Sequence, residues 1–351
     1  MSVENNIYEN VAEMFLVRYK DWIIQKVKET GEISRFQNLV AHNGFCQELA
    51  RLGNRLTKVY DNPEWHSIVL ETLDIDLIYG NVDKTLSENG GNDKEYTDLL
   101  VKELLRYFKQ DFFKWVNQPD CQNCDSSIET NQTAIGIQRP TAEEARYECG
   151  NVEVYRCNHC GGTTRFPRYN NPIKLLETRK GRCGEFCNVF TLILKSFGLE
   201  ARYIWNKEDH VWCEFYSTNL DRWVHVDPSE QSFDQPYIYS INWNKKMSYC
   251  IAFNKDGVTD VSRRYIIKNA LERKECNEGN LSFFCDFYTK SLRKSLTNDE
   301  IYSLEMRDER ERLQFLKPET VTDDTKTTKT EQVGRISGST EWKKSRGEGG
   351  N

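Results

Sequence analysis

The chain of 351 residues has no run of about 18 apolar residues, so we expect no membrane-spanning helix. Its first residues, Met1-Ser2-Val3-Glu4-Asn5-Asn6, have neither a basic start nor an apolar stretch, and no secretory signal is visible. Positive charge is not in excess either. The formal net charge is -6, which disfavours a nucleic-acid partner because phosphate contacts need clustered Lys and Arg. These absences favour a cytoplasmic or nuclear protein.

Cysteine, in contrast, is abundant, with 12 residues. In a reducing compartment, closely spaced cysteines are more often metal ligands or nucleophiles than disulfide partners. Cys121-Gln122-Asn123-Cys124 and Cys157-Asn158-His159-Cys160 form two Cys-x-x-Cys pairs, which predict one tetrahedral zinc ion bound by four thiolates. Such a site leaves no position for water or substrate, so we expect the zinc to be structural and His159 not to be a ligand. Buried free cysteines and redox chemistry are the alternatives.

A candidate nucleophile lies at the start of a predicted helix. In Gly181-Arg182-Cys183-Gly184-Glu185-Phe186-Cys187, the glycines permit a tight turn and close approach of a substrate, and an apolar helix follows. A helix N-terminus and a neighbouring imidazolium both favour the thiolate form of a cysteine. We therefore favour Cys183 as the nucleophile over Cys187, which lies one turn further into the helix and is expected to be buried.

Two histidines compete for the role of general base. Strand alternation places His210, Trp212 and Glu214 on one face of a strand, and Trp223, His225 and Asp227 on one face of the next. His210 follows a polar loop and starts its strand, which suits a site at a sheet edge, whereas His225 lies between two valines. We favour His210 as the base, with His225 as its rival. Asp227, at a strand end before a proline, would orient the imidazole.

The remaining site residues would stabilise an oxyanion or line a cleft. The backbone N–H of Cys183 is one oxyanion donor, and the indole N–H of Trp115 is a second, with core packing as the alternative for that ring. Trp212 and Glu214 share the face of His210, and Glu230 follows the Asp227 turn, so these groups could line one wall and bind substrate. The alternative is that Trp212 packs in the core and Glu230 caps a turn.

Hydrophobic periodicity divides the chain into four parts. We expect an N-terminal helical region over 1–95, in which the apolar positions Val11, Phe15 and Trp22 pack in a core. A catalytic core follows over 96–295 and includes the cysteine pairs of 121–160. A charged helix is expected over 296–318, and a tail over 319–351 is rich in Thr, Lys, Glu, Ser and Gly, which predicts disorder.

Several motifs follow one another in the chain between about residues 95 and 270. They are Phe113-Lys114-Trp115-Val116-Asn117, the two Cys-x-x-Cys pairs, Arg179-Lys180-Gly181-Arg182-Cys183-Gly184-Glu185, Asp209-His210-Val211-Trp212-Cys213-Glu214 and Arg222-Trp223-Val224-His225-Val226-Asp227-Pro228-Ser229-Glu230. Taken together and in this order, these motifs resemble those of the cytosolic peptide:N-glycanases of the transglutaminase-like superfamily, in their short fungal form. The resemblance implies an α+β fold, with a transglutaminase-like (papain-like) cysteine-enzyme core, a zinc-binding subdomain with four cysteine ligands, and flanking helices.

The resemblance implies the same triad of Cys183, His210 and Asp227, the same four zinc ligands, and Glu230 as a substrate contact. It implies hydrolysis of the β-aspartylglucosaminyl amide bond of N-linked glycans on misfolded glycoproteins, which leaves aspartate and supports proteasomal degradation. It also implies binding of a ubiquitin-receptor shuttle protein of the proteasome pathway through helical terminal segments.

Other functions stay open from the residues alone. A transglutaminase of the same fold would pass the acyl group to an amine instead of water. A non-catalytic module would bind glycans or a partner, although it has no need of Cys183, His210 and Asp227 together. A zinc-ribbon nucleic-acid protein is disfavoured by the acidic net charge.

Overall fold

The computed structural model describes residues 3–29, 31–124, 132–316, 334–345 and 348, and it combines helices with three β-sheets. No helix within these ranges is long and apolar enough to cross a membrane. The helices are, in chain order, α1 (Val3–Lys28), α2 (Ile33–His42), α3 (Gly44–Leu56), α4 (Pro63–Thr72), α5 (Ile75–Asn89), α6 (Tyr96–Tyr107), α7 (Ala142–Arg146), α8 (Pro172–Thr178), α9 (Cys183–Ser196), α10 (Ser262–Tyr265), α11 (Glu278–Arg293), α12 (Asn298–Leu316) and α13 (Thr340–Ser345).

The largest sheet is antiparallel and has six strands in the order β11-β10-β6-β7-β8-β9. Its strands are β6 (Ala201–Asn206), β7 (His210–Ser217), β8 (Arg222–Asp227), β9 (Ser232–Phe233), β10 (Cys250–Asn254) and β11 (Gly257–Asp260). One face of β7 and β8 packs against α9, which is apolar on most sides because it lies inside the core. This contact unites Phe186, Phe190, Cys213, Phe215 and Val224 in one cluster.

The two smaller sheets lie before α9 in the chain. Strands β2 (Gln132–Gln138), β3 (Val152–Cys157) and β4 (Thr163–Pro167) form an antiparallel sheet that carries the second Cys-x-x-Cys pair at one end. Strand β1 (Lys114–Trp115) pairs in parallel with β5 (Lys180–Gly181), which leads directly into α9. The short β1–β5 pair therefore fixes the segment before Cys183 to the segment that follows α6.

Helix α1 departs from the expected core packing over much of its length. Ile23 and Val27 are buried, and the C-terminal half of α1 lies beside α12, where Lys28 donates to Asn298. Val11, Phe15 and Trp22 are instead 59%, 66% and 55% exposed. The helical period of these residues was recognisable from the sequence, but the interpretation as core was wrong for Val11, Phe15 and Trp22. A periodic apolar stripe shows which residues share a face, and it does not show what covers that face.

The last part of the chain also differs from the expectation of disorder. Of the predicted tail over 319–351, residues 319–333 lie outside the described residues, whereas 334–345 and 348 lie against the core and include helix α13. Arg335, Ser337 and Glu348 are buried there. The low aliphatic content of this stretch suggested that it had nothing to bury, but polar contacts hold it.

Candidate active site

Cys183 is the first residue of α9 and is half-buried. The first N–H groups of a helix have no intrahelical acceptor, and they form the positive end of the helix dipole, which favours a thiolate. The next residue, Gly184, has open space where a side chain would begin. Cys183 is therefore not completely covered, and the backbone beside it at Gly184 borders open space.

Charged side chains fix the start of α9. Arg182 donates through its guanidinium to both carboxylate oxygens of Glu153 on β3, at 2.9 and 2.7 Å, and to the carbonyl oxygens of Val116 and Asn117 at 3.1 Å. The carboxylate of Glu185 accepts from the backbone N–H of Arg182 at 2.9 Å. A side chain at Gly181 would collide with that of Glu185. Glycine at this position therefore permits the contact that caps the helix.

His210 and Asp227 meet because β7 and β8 are antiparallel neighbours. His210 begins β7 and Asp227 ends β8, so both lie at the same end of these two neighbouring strands. Cys213 and Val226 pair across the two strands on the core face, which places His210 and Asp227 together on the opposite face. His210 Nε2 lies 2.9 Å from Asp227 Oδ2, and both side chains are fully buried. Because Nε2 bonds to Asp227, Nδ1 is the ring nitrogen that can bond to the Cys183 thiol.

The three groups shift one another's protonation towards an ion pair. Burial would raise the pKa of the Cys183 thiol, but the hydrogen bond to His210 and the charges of His210 and Arg335 lower this pKa below its usual value. Burial and the charge of Arg335 would lower the pKa of His210, but bonds to Asp227 and Cys183 raise it overall. A lowered thiol pKa and a raised imidazole pKa together favour thiolate and imidazolium.

Asp227 stays ionised although it is buried, because donors surround it. Oδ1 accepts from the backbone N–H and the hydroxyl of Ser229, at 2.9 and 2.8 Å, and from the backbone N–H of Glu230 at 3.2 Å. Oδ2 accepts from His210 and from the hydroxyl of Tyr239, both at 2.9 Å. Burial would raise the pKa of Asp227, yet these bonds hold it well below its usual value. The carboxylate can orient His210 without taking its proton.

The rival base, His225, contacts Asp227 only through Tyr239 and has a structural role. Its Nδ1 accepts from the backbone N–H of Gln235 at 3.3 Å, so its proton is on Nε2, which donates to the Tyr239 hydroxyl at 2.7 Å. The Tyr239 hydroxyl then donates to Asp227. Burial lowers the pKa of His225 to about 4, which makes it neutral at physiological pH. His225 thus supports Tyr239, and these bonds occupy both of its ring nitrogens.

Cys187 has the surroundings of a core residue. Its Sγ lies 3.0 Å from the carbonyl oxygen of Trp212 and 3.5 Å from Cys213 Sγ, inside the cluster between α9 and the sheet. Burial raises the pKa of the Cys187 thiol well above its usual value. A thiol that stays protonated and out of reach is not a nucleophile, so the geometry favours Cys183.

Trp115 lies near the site, but its N–H is already bonded. The indole Nε1–H donates to Asn117 Oδ1 at 2.9 Å, and the half-buried ring lies against Phe186 and Trp342. The structure therefore packs the Trp115 ring against the core cluster, which was the alternative for this residue, and it does not direct the indole N–H towards an oxyanion. The N–H of Cys183 at the helix start is the better placed donor of the two.

Trp212 and Glu214, both predicted to contact substrate, are completely buried. Trp212 stacks on Tyr239 at 4.3 Å between ring centroids and packs edge-on against Tyr265, so it supports the site from behind. Glu214 accepts from Arg202, Arg264 and Tyr265 in an ion-pair network that includes Glu311 of α12. These surroundings differ from our expectation, because alternation predicts which face a residue occupies but not whether that face is covered.

Glu230 lies at the site, but it binds a part of the chain itself. Its two carboxylate oxygens accept from the backbone N–H groups of Ile336 and Ser337, at 2.6 and 3.1 Å. The residue before these two, Arg335, places Nη2 3.4 Å from His210 Nδ1. Tyr239 and Arg335 are the site residues that sequence reasoning missed. Neither belongs to a short motif, and Arg335 is far from the triad along the chain.

The four cysteines of the two Cys-x-x-Cys pairs come together. Their sulfur atoms lie within 4.8 Å of one another, with 3.6 Å between Cys121 and Cys160 and 3.7 Å between Cys124 and Cys157. Zinc bound to sulfur at about 2.3 Å in a tetrahedron requires sulfur atoms about 3.8 Å apart, so the cluster fits such an ion. The backbone N–H groups of Asn123 and Gly162 point at Cys121 and Cys160 Sγ. This four-cysteine cluster can hold a metal ion.

Comparison with known proteins places the chain in a family. The model of the transglutaminase-like superfamily matches residues 131–228, and that of the Rad4 transglutaminase-like domain matches residues 203–316. A solved structure of Rad4-Rad23 bound to a 6-4 photoproduct UV lesion is 16% identical with a TM-score of 0.44, and the match covers 82% of this chain and 62% of that one.

Curated relatives are much more similar. The peptide-N(4)-(N-acetyl-beta-glucosaminyl)asparagine amidase of Saccharomyces cerevisiae is 59% identical over 99% of this chain and 98% of the relative. The protein of the same name from Candida glabrata is 57% identical over 98% of this chain and 99% of the relative. Identity at this level over nearly the full length of both partners, together with the transglutaminase-like core, means that the chain belongs to the peptide-N(4)-(N-acetyl-beta-glucosaminyl)asparagine amidase family.

Proposed function

We infer that the chain is a peptide:N-glycanase, which hydrolyses the β-aspartylglucosaminyl amide bond between an N-linked glycan and its asparagine. The observation that carries this inference is the arrangement of three groups in a transglutaminase-like core. Cys183 at the start of α9 meets His210 and Asp227 at the ends of two neighbouring strands. The name of relatives up to 59% identical supplies the glycan amide as the bond that is cleaved.

In the first half of the reaction, the Cys183 thiolate attacks the carbonyl carbon of the asparagine side chain. The oxyanion that forms lies near the N-terminus of α9, where the Cys183 N–H can donate to it. The His210 imidazolium then donates its proton to the amide nitrogen, and the carbon–nitrogen bond breaks. The glycan leaves as a glycosylamine, and a thioester joins Cys183 to the peptide.

In the second half, water cleaves the thioester. His210, now neutral, takes a proton from the attacking water, and Asp227 orients and stabilises the resulting imidazolium. Collapse of the second tetrahedral intermediate releases the Cys183 thiolate and restores the ion pair. Aspartate remains in the peptide, since the amide nitrogen has left with the glycan.

The test is incubation with a denatured high-mannose glycoprotein, followed by mass spectrometry of its peptides. We expect wild type to convert the glycosylated asparagine to aspartate, and Cys183→Ala to leave it intact, while Cys187→Ala retains most of the activity. Cross-linking of two chains in place of deglycosylation would indicate a transglutaminase. Binding without turnover by wild type would indicate a non-catalytic module.

We also propose that the four-cysteine cluster holds one structural zinc ion, with Cys121, Cys124, Cys157 and Cys160 as its ligands. Four thiolates favour zinc over hard cations, which prefer oxygen. They also complete a tetrahedron, so the ion would fix the end of the β2-β3-β4 sheet without taking part in hydrolysis. One equivalent of zinc in the purified protein by elemental analysis is the expected result, and its absence from active protein would contradict the proposal.

The biological setting that we propose is clearance of misfolded glycoproteins in the cytoplasm or nucleus, with a ubiquitin-receptor shuttle protein as partner. The N-terminal half of α1 supports such a partner, because Tyr8, Val11 and Phe15 share one face of the helix and are 59% to 74% exposed. We expect the purified shuttle protein to bind wild type and to bind Phe15→Glu much more weakly. Equal binding of both would exclude this face.

A further inference from the structure

The C-terminal segment, defined here as residues 334–345 and 348, lies against the residues of the triad. Glu230 accepts from two successive N–H groups of the segment, those of Ile336 and Ser337. Glu348 accepts from Lys245 Nζ at 2.6 Å, which ties the other end of the segment to the core. Two core residues therefore hold the segment near Arg335: Glu230 binds its first residues, and Lys245 binds Glu348 at its end.

Arg335 is the residue that these contacts position. Its side chain is fully buried, with Nη1 2.8 Å from Glu348 Oε2 and Nε 3.0 Å from Ser337 Oγ. The guanidinium lies over three indole rings, at 5.5 Å from the centroid of Trp115, 5.0 Å from Trp243 and 4.4 Å from Trp342. A planar cation in an aromatic cage, with one bonded carboxylate, is held in a single orientation.

That orientation directs the charge of Arg335 at the triad, since Nη2 lies 3.4 Å from His210 Nδ1, the ring nitrogen that does not bond to Asp227. We propose that Arg335 is a further active-site residue of the amidase, which positions the thiol–imidazole pair and stabilises negative charge at Cys183, and that the C-terminal segment completes the active site by supplying it. This inference rests on the proposed function only for its effect on hydrolysis. The effect on the thiol itself is independent of any substrate.

The fixed charge of Arg335 has opposite effects on the charged forms of Cys183 and His210. It stabilises the Cys183 thiolate, and the oxyanion that follows attack, and it destabilises the His210 imidazolium. The second effect is compensated, because Asp227 bonds to His210 from the other side. The net result of the three charges is a lowered thiol pKa together with a raised imidazole pKa.

A segment that covers an active site could instead block it, and the burial pattern decides against this. With the segment in place, Arg335, Ser337 and Glu348 are buried, whereas Cys183 remains half-buried and partly accessible. An inhibitory segment would cover the nucleophile and expose its own charges when it is displaced. Here the segment buries its charged groups in complementary contacts beside the triad, and Cys183 is not completely covered.

The test compares Arg335→Gln, which removes the charge, with Arg335→Lys, which keeps it, and with Lys344→Gln as a control that removes an exposed charge from the same segment. The first readout is the rate at which iodoacetamide alkylates Cys183 near neutral pH, followed by mass spectrometry of the peptide that contains it. We expect Arg335→Gln to raise the thiol pKa by about one unit, which slows alkylation by up to about tenfold at a pH below that pKa. Arg335→Lys should restore part of the rate, and Lys344→Gln should match wild type.

The second readout is glycopeptide cleavage, in which Arg335→Gln should lower kcat more than it raises KM. If Arg335→Gln fails to fold, as judged by circular dichroism, Glu348→Gln tests the same contact with an intermediate slowing of alkylation. Alkylation at the wild-type rate in the folded variants would overturn the proposal. Faster alkylation and faster cleavage would also overturn it, since they would identify the segment as an inhibitor. Because alkylation needs no glycoprotein, failure of the proposed function would leave this test intact.

Discussion

Two histidines on the same face of the sheet differ in protonation because of their immediate neighbours. His210 bonds directly to the carboxylate of Asp227, which raises its pKa against the cost of burial. His225 has a backbone N–H at one ring nitrogen and a tyrosine hydroxyl at the other, so burial dominates and its pKa falls to about 4. A direct carboxylate contact therefore distinguishes an acid–base group from a structural imidazole in the same strand pair.

The first prediction concerns the support that Asp227 gives to the ion pair. In Asp227→Asn the negative charge beside His210 is lost, so the imidazolium becomes less stable and the His210 pKa falls. The Cys183 pKa, which the imidazolium lowers, must then rise towards its usual value. We therefore expect the rate of Cys183 alkylation, plotted against pH, to increase at a higher pH than in wild type.

The matched control for this prediction is Asp221→Asn. Asp221 lies in the turn before β8, where its side chain is 64% exposed and interacts with Arg310. Its profile should coincide with that of wild type. A profile for Asp227→Asn that coincides with wild type, or moves to lower pH, would show that Asp227 does not support the imidazolium.

Each member of the proposed triad has a local signal in the sequence. Cys183 follows a glycine turn at a helix start, His210 follows a polar loop, and Asp227 precedes a proline. The supporting residues have no such signal. Tyr239 is one aromatic residue among 17 tyrosines, and Arg335 lies in a polar stretch whose composition suggested disorder. Their roles depend on which elements pack together, and a local pattern does not contain that information.

At the scale of elements, buried ion pairs attach α12 to the sheet. Glu311 of α12 accepts from Arg202 on β6 and from Arg264, and both arginines also donate to Glu214 on β7. Glu214 and Glu311 are 0% and 3% exposed, so each charge depends on its partners for solvation. The sequence predicted a charged helix here, but a charged helix is usually a solvated one. The buried pairs became visible only in the structure.

The second prediction follows from this network. Glu311→Ala leaves Arg202 and Arg264 with one carboxylate instead of two inside a buried site, and removing one partner of such a pair costs about 3–5 kcal/mol. We expect the free energy of unfolding, measured by urea denaturation, to fall by about this amount. Glu309→Ala on the same helix removes a half-exposed carboxylate that bonds to Arg312, and it should change stability by less than about 1 kcal/mol. Equal effects of both variants would contradict the assignment of the network.

The molecule as a whole brings three parts of the chain to one site. Helix α9 supplies the nucleophile, the six-stranded sheet supplies the base and its carboxylate, and the C-terminal segment supplies Arg335. The β2-β3-β4 sheet contacts this site through β3, which carries both Cys157 of the four-cysteine cluster and Glu153, the partner of Arg182. Strand β3 and the Glu153–Arg182 ion pair therefore link the cysteine cluster to the start of α9.

The last prediction tests that connection. Loss of a metal ligand in Cys160→Ser should release the end of β3, and Glu153 would then hold Arg182 less firmly at the residue before Cys183. We expect zinc content to fall below one equivalent, the melting temperature to drop by several degrees, and glycopeptide cleavage to fall with it, since metal binding and folding are coupled in such sites.

Cys149→Ser is the matched control for this prediction. Cys149 is buried close to β3 and bonds to the carbonyl oxygen of Asn151, outside the cluster, so it should keep both zinc and activity. A Cys160→Ser protein with wild-type zinc content, melting temperature and cleavage rate would show that the cluster neither binds the ion nor supports the nucleophile.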